Sequence, residues 1–153
     1  MSAWRIITED CDGSALAEGT VLMPLLCALF FGIYEFSYIF YQQHLVSIGV
    51  RDAARYLARV NDPTVAGCQT NARNLAATGS VAGGTYRRVT GWDPTTAEVP
   101  ISVSGATGDQ AIQVTGTFTY QPLGFWGYFG FGAPIITVTH TERKTPELSI
   151  GTC

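Results

Sequence analysis

Charge is scarce in this sequence. Charged side chains make up 14% of its 153 residues, against roughly 25% in ordinary soluble domains. The shortage is concentrated in one apolar stretch near the N-terminus and in a Gly/Thr-rich second half. With a formal net charge of −3, the chain lacks the basic footprint of a nucleic-acid-binding protein. Histidine is nearly missing too, with only His44 and His140 present. There is no Ser-His-acid set, no HExxH and no phosphate loop. Serine and cysteine nucleophiles have no evident base beside them. These gaps predict a protein that is not an enzyme, with no cofactor and no small-molecule substrate. The four cysteines, Cys11, Cys27, Cys68 and Cys153, show neither CxxC nor metal-ligand spacing, so no metal site is expected.

What the chain does have is a long apolar run. Residues 13–41 read GSALAEGTVLMPLLCALFFGIYEFSYIFY, and no charged side chain falls between Gly19 and Tyr34. A bilayer core of roughly 30 Å needs about 20 apolar residues in a helix. With Glu35 tolerated, the run to Tyr41 is long enough, and one transmembrane helix is predicted. The competing reading is a buried helix of a soluble protein. No other stretch is long and apolar enough to span as a helix, so a single crossing is expected. Pro24 removes one backbone hydrogen bond and should kink the helix. Glu18 and Glu35 are acids in an apolar setting, where a carboxylate is expensive and by default suggests a partner. Glu35 lies about 25 Å along the helix from Glu18. It either reaches the outer interface, where Tyr34, Tyr38 and Tyr41 form an aromatic belt, or meets a specific protein group.

The order of features carries more information than any one of them. A polar leader, MSAWRIITEDCD, precedes Gly13, Ser14 and small residues; Glu18 stands five residues after the glycine, and then the apolar helix begins. This arrangement resembles the processing site of type IV prepilins and pseudopilins. Further on come Pro24, the G-x-x-E-F element at Gly32 to Phe36, aromatics from Tyr38 to Tyr41, and the arginine-bearing segment from Arg51 to Arg59. Together these resemble the TadE-like family, the minor pseudopilins of the tight-adherence (Flp) pilus machinery, over about the first 60 residues. The resemblance implies cleavage between Gly13 and Ser14 by a prepilin peptidase on the cytoplasmic side. It also implies that Glu18 partners the new N-terminal amine, its own or a neighbour's. Implied partners are other minor pseudopilins, the pilus-assembly platform proteins, the peptidase and membrane lipid. The implied location is the inner membrane, with the C-terminal part extracytoplasmic.

Two features depart from the family pattern. The leader sets Arg5 against Glu9, Asp10 and Asp12, and Gly19 stands where phenylalanine is common. By the positive-inside rule alone, Arg51, Arg55 and Arg59 would keep the C-terminal part in the cytoplasm. The resemblance implies the opposite orientation, because the peptidase must reach a cytoplasmic leader. The alternative reading is a bitopic binding or sensor protein with an uncut anchor.

The expected organisation is a leader at 1–13, a transmembrane and amphipathic helix at 14–60, and an extracytoplasmic α+β domain at 61–153. Beyond the apolar run, Leu45, Ile48, Gly49, Ala53, Tyr56, Leu57 and Val60 fall on one helical stripe, away from Arg51, Asp52, Arg55 and Arg59. Asp52 and Arg55 are spaced to pair. Asn61-Asp62-Pro63 is a stop signal. A second helix is predicted over Thr64 to Thr78, with Gly79 as C-cap and Val65, Cys68, Ala72, Leu75 and Ala76 inside. From Tyr86 the pattern turns to period two, which predicts three or four antiparallel strands with one wet face. The expected class is therefore α+β and pilin-like. Cys68 and Cys153 both follow the membrane segment; outside the cytoplasm they either form one disulfide or remain two thiols. The segment LGFWGYFGFGA contains Phe125, Trp126, Tyr128, Phe129 and Phe131. It either completes the core, dips into the membrane interface, or offers anchors to another subunit.

Overall fold

The computed structural model describes residues 11–106, 108–124, 127, 130, 132–144, 151 and 153. The element order is α1 (Cys11–Arg59), α2 (Ala66–Thr78), β1 (Ile101–Ser104), β2 (Ala111–Thr119) and β3 (Ile135–Arg143). This is the α+β class, with three antiparallel strands in the order β1-β2-β3. The chain divides into two compact units between Ser37 and Tyr38, and each is taken by itself.

The first unit is helical. α1 begins two residues before Gly13 and continues through Pro24 without interruption. From Leu16 to Tyr34 the large apolar side chains are more than half exposed, Val21 at 75% and Phe30 at 67% among them. Water would make that surface a severe liability. A lipid surround removes the liability, because every backbone group of a helix is already bonded within the segment. Among the described residues one helix is long and apolar enough to cross a membrane, with a mean hydropathy of 1.9 in its best window.

The second unit holds the rest of α1, α2 and the sheet. α1 ends at Arg59, and Pro63 keeps the helix from resuming through Asp62, since the residue before proline is pushed out of the α region. The Asp62 carboxylate accepts hydrogen bonds from the Thr64 amide at 2.9 Å and the Thr64 hydroxyl at 2.6 Å. These bonds, the hydroxyl's first, hold its pKa below the usual carboxylate value. The turn they make delays α2, which starts at Ala66 instead of Thr64. Gly79 caps α2 in the left-handed conformation and donates to the Leu75 carbonyl at 2.9 Å.

The buried face of α1 is wider than the predicted stripe and shifted from it. Val46, Val50, Ala54 and Ala58 join Ala53, Leu57 and Val60 in the core, whereas Leu45 and Tyr56 are only partly buried. The shift arises because α1 is covered on two sides. α2 brings Cys68, Ala72, Ala76 and Ala77, and the sheet brings Ile112, Val114 and Phe118. On α2, Val65 is 48% exposed rather than inside.

No strand forms over residues 86–98. Gly91 adopts a left-handed φ of 80° there, and Asp93-Pro94 adds a turn dipeptide. The stretch is held instead by an Arg87–Asp93 ion pair at 2.8 Å and by Trp92, which is completely buried. The sheet begins at β1, whose Ile101 and Val103 face Val114 and Ile112 of β2. Along β2, buried Ile112, Val114, Gly116 and Phe118 alternate with Gln113, Thr115, Thr117 and Thr119 on the opposite face. β3 sets Ile136 beside Phe118 and Val138 beside Gly116. The outer face is threonine-rich, and the Thr115 and Thr139 hydroxyls pair at 3.1 Å.

Two glycines set how close the layers come. A Cβ on Gly116 would lie 2.7 Å from both Val46 and Val50 of α1 and 3.0 Å from the Trp92 ring. A Cβ on Gly49 would lie 2.3 Å from the Ala76 carbonyl oxygen and 3.1 Å from Trp92. The C-terminal end returns to the α1–α2 turn. Lys144 Nζ donates to the Asn61 carbonyl, Asn61 N donates to the Gly151 carbonyl at 3.2 Å, and Cys153 is disulfide-bonded to Cys68.

Gly49→Ala and Gly116→Ala should each lower stability by about 1–3 kcal/mol through overpacking. Gly67→Ala, in α2 with nothing within 4 Å of its Cβ position, should raise it by up to about 1 kcal/mol. Thermal melts of the detergent-solubilised full chain read all three; equal destabilisation at Gly49 and Gly67 would contradict the close approach. The disulfide closes a sequence separation of 85 residues, for which the chain-entropy estimate is about 4–5 kcal/mol. Cys68→Ser and Cys153→Ser should each give the lowered melting temperature of the reduced wild type.

Candidate processing and assembly segment

The sequence places the functional candidates along the first half of α1, and the structure locates each. Gly13 and Ser14 lie in helical backbone, two and three residues past the start of α1. The bond between them is therefore inside the first turn, where helix ends fray and glycine disfavours the helix by about 1 kcal/mol. Glu18 is exposed, one turn after Ser14. Next to it, an added Cβ on Gly19 would have nothing within 4 Å, so the glycine leaves a notch in the apolar surface beside the acid. Thr20 is polar in the same stretch but turns its hydroxyl inward, donating to the Leu16 carbonyl at 2.7 Å. Ser37 does the same to Ile33 at 2.8 Å. Both hydroxyls are thereby satisfied without water. Among the described residues Glu18 has no such hydrogen bond, and it is exposed at the head of an uncharged run.

Glu35 differs from Glu18. It is only 2% exposed, whereas its neighbours Tyr34 and Phe36 are 59% and 51% exposed. Of the three tyrosines expected to form a belt, Tyr34 and Tyr41 are exposed. Tyr38 instead packs edge-to-face on Tyr120, with ring centroids 6.1 Å apart, and stacks near Tyr41 at 6.5 Å. Gln42 is a further buried polar group, 5% exposed, with no hydrogen-bond partner for its Oε1 among the described residues.

The expected Asp52–Arg55 pair does not form. Asp52 is bound by Arg88 at 2.8 Å, because Arg88 is brought to α1 by its own amide bond to the Ala77 carbonyl at the end of α2. His140 lies on the inward-facing register of β3 and meets Glu142 at 3.2 Å. Phe125, Trp126, Tyr128, Phe129 and Phe131 lie outside the described residues, as do the side chains of Gly13 and Ser14. Among the described residues no group of His, Cys, Asp and Glu is arranged to hold a metal ion.

Sequence reasoning passed over three residues that organise this part of the molecule. Gln42 sat in an unremarked polar pair, Gln42-Gln43. Trp92 stood in a turn-rich stretch. Gly116 interrupts an otherwise β-branched strand, and that was its signal, since glycine inside a strand marks a close backbone approach.

Compared with models of known protein families, residues 13–55 match the family described as TadE-like protein. The matched segment runs from the glycine of the candidate junction through the apolar helix to Arg55. No curated protein and no solved structure matches the chain.

If lipid covers the exposed apolar face, alkaline carbonate should leave the full-length protein in the membrane pellet. An arginine at the centre of a membrane helix costs about 2.5–3.5 kcal/mol. Leu22→Arg combined with Leu26→Arg should therefore move much of the protein to the supernatant. Wild type in the supernatant would contradict a membrane span.

Proposed function

We propose that this chain, TadE-like over residues 13–55, is a minor pseudopilin of a tight-adherence (Flp) pilus system. The family match connects it to such systems. The finer role rests on one observation: an exposed Glu18 one turn beyond the Gly13–Ser14 junction, heading a helix whose large apolar side chains are exposed. That is the arrangement a subunit needs if it is stored in a membrane and later packed against other helices.

The sequence of events follows from the chemistry. A prepilin peptidase cuts between Gly13 and Ser14, which requires the first turns of α1 to open locally. Cutting leaves an ammonium group on Ser14, about 6 Å of helix rise from Glu18. The carboxylate then has a counter-charge, its own amine or that of a neighbouring subunit, and it also opposes the positive end of the helix dipole. In hydrocarbon such a pair lowers the cost of both charges compared with either alone. Removing residues 1–13 also takes away Glu9, Asp10 and Asp12, which would otherwise repel Glu18. Subunits join through the apolar face of α1, and the α+β unit lies outside the cytoplasm, where a Cys68–Cys153 disulfide persists. The protein does no chemistry of its own; it is a peptidase substrate and an assembly component.

Intact mass of the membrane-extracted protein, from cells with and without the prepilin peptidase, tests this directly. Loss of residues 1–13 is expected only when the peptidase is present, and Gly13→Val should remain full length in both. A full-length wild type in both strains would remove the pseudopilin reading and favour an uncut bitopic anchor.

A further inference from the structure

The arginines of the second unit fall into two groups. Arg73, Arg87, Arg88 and Arg143 are each engaged, by the Val99 carbonyl and Gln69, by Asp93, by Asp52 and by Asp109 respectively. Arg51, Arg55 and Arg59 are all exposed and make no ion pair or hydrogen bond among the described residues. They recur every four residues on α1, so their guanidinium groups form a row with about 6 Å between steps, drifting slowly round the helix. Like charges at this spacing weaken a helix by a few tenths of a kcal/mol per pair. In a chain with a net charge of −3, an unopposed cationic row is out of keeping with the rest. Beside it, Asp52, Arg55, Tyr56, Arg59 and Leu75 line a groove of about 270 Å³ between α1 and α2.

We propose that this row and groove are a docking site for an acidic amphipathic helix of a different protein, with carboxylates at four-residue spacing that meet Arg51, Arg55 and Arg59. Three observations select that occupant. First, the apolar run ends at Tyr41, and Arg51 and Arg59 lie about 15 Å and 27 Å further along the helix axis. Both distances exceed the roughly 8 Å over which a charged lipid surface acts at physiological salt, so headgroups are the poorer match. Second, the described carboxylates of this unit are already in use. Asp52, Asp93 and Asp109 are ion-paired, Glu142 is hydrogen-bonded to His140, and Asp62 and Glu98 accept hydrogen bonds from Thr64 and Asp93. In a second copy, the described carboxylates of this unit would have to leave their own partners to serve, which favours a different protein as the occupant. Third, Tyr56 and Leu75 give the groove an apolar floor between charged rims, the setting in which an amphipathic helix binds by its apolar anchors while its charges set register. The inference does not depend on whether residues 1–13 are removed.

The test uses the full chain in nanodiscs of zwitterionic phosphatidylcholine. The probe is a fluorescent synthetic helix with leucines on one face and glutamates at i, i+4 and i+8, compared with the same helix carrying glutamines. Anisotropy should show at least about tenfold tighter binding of the glutamate helix, weakening as salt rises from about 50 to 300 mM. The triple variant Arg51→Gln, Arg55→Gln, Arg59→Gln should bind the two helices equally, while Arg143→Gln, on β3, should behave as wild type. Equal binding of both helices by the wild type, or full glutamate preference in the triple variant, would overturn the proposal. So would nanodiscs containing phosphatidylglycerol that abolish helix binding in the wild type, because the row would then belong to lipid. Each variant should keep the wild-type melting temperature within a few degrees; the triple variant Arg51→Lys, Arg55→Lys, Arg59→Lys, which keeps the three charges, should retain the glutamate preference, and its loss there would also overturn the proposal.

Discussion

The second unit is built on the contact between α1, α2 and β2 at Gly49 and Gly116. At both glycines the space a methyl group would need is occupied, by the Ala76 carbonyl at one and by Val46 and Val50 at the other, and the Trp92 ring touches both places. The absence of two Cβ atoms lets two helices and a sheet approach one indole. Much of the core is small or β-branched in keeping with that closeness, as at Val46, Val50, Ala53, Ala72 and Ala76. A packed interior transmits such a constraint, since a misfit of one methyl group is felt by neighbours that have no void to move into. Trp92 explains why the irregular stretch before β1 is not spare loop. It has no strand pairing of its own, yet it supplies the largest fully buried side chain.

The same helix serves the two units in different ways. Along its first half α1 has no core to face, and its large side chains are exposed on all sides; along its second half it is the centre of a core. That difference follows from composition. The first half has no charge between Gly19 and Tyr34, whereas the second half interleaves arginines and an aspartate with its apolar positions. The second unit is closed covalently. The disulfide and the hydrogen bonds of Lys144 and Gly151 to Asn61 tie the chain's far end to the turn where α1 stops.

Much of this was legible beforehand, for reasons that differ by element. The apolar helix, its family resemblance and the proline-marked stop are local signals, written in consecutive residues. The second helix and its glycine cap were legible because a left-handed C-cap has a strong residue preference. β2 and β3 were legible because one wet face forces alternation. Residues 86–98 misled, since their scattered apolar residues mimic a strand when Gly91 and Pro94 are underweighted. The burial of Glu35 was not announced by the linear pattern, which left an interface position and a protein partner both open.

The sequence by itself determined the segments whose environment is set by near neighbours along the chain: the long apolar helix, the helix ends and the strand faces. Only the tertiary structure decided which groups meet across long separations. It gave Asp52 to Arg88 rather than to Arg55, thereby leaving Arg51, Arg55 and Arg59 as a row with no internal counter-charge. It brought Cys153 to Cys68 and made Gly49 and Gly116 indispensable. Spacing rules reach about one helical turn or one strand pair. Beyond that range a side chain's partner depends on how whole elements pack, which no local pattern encodes.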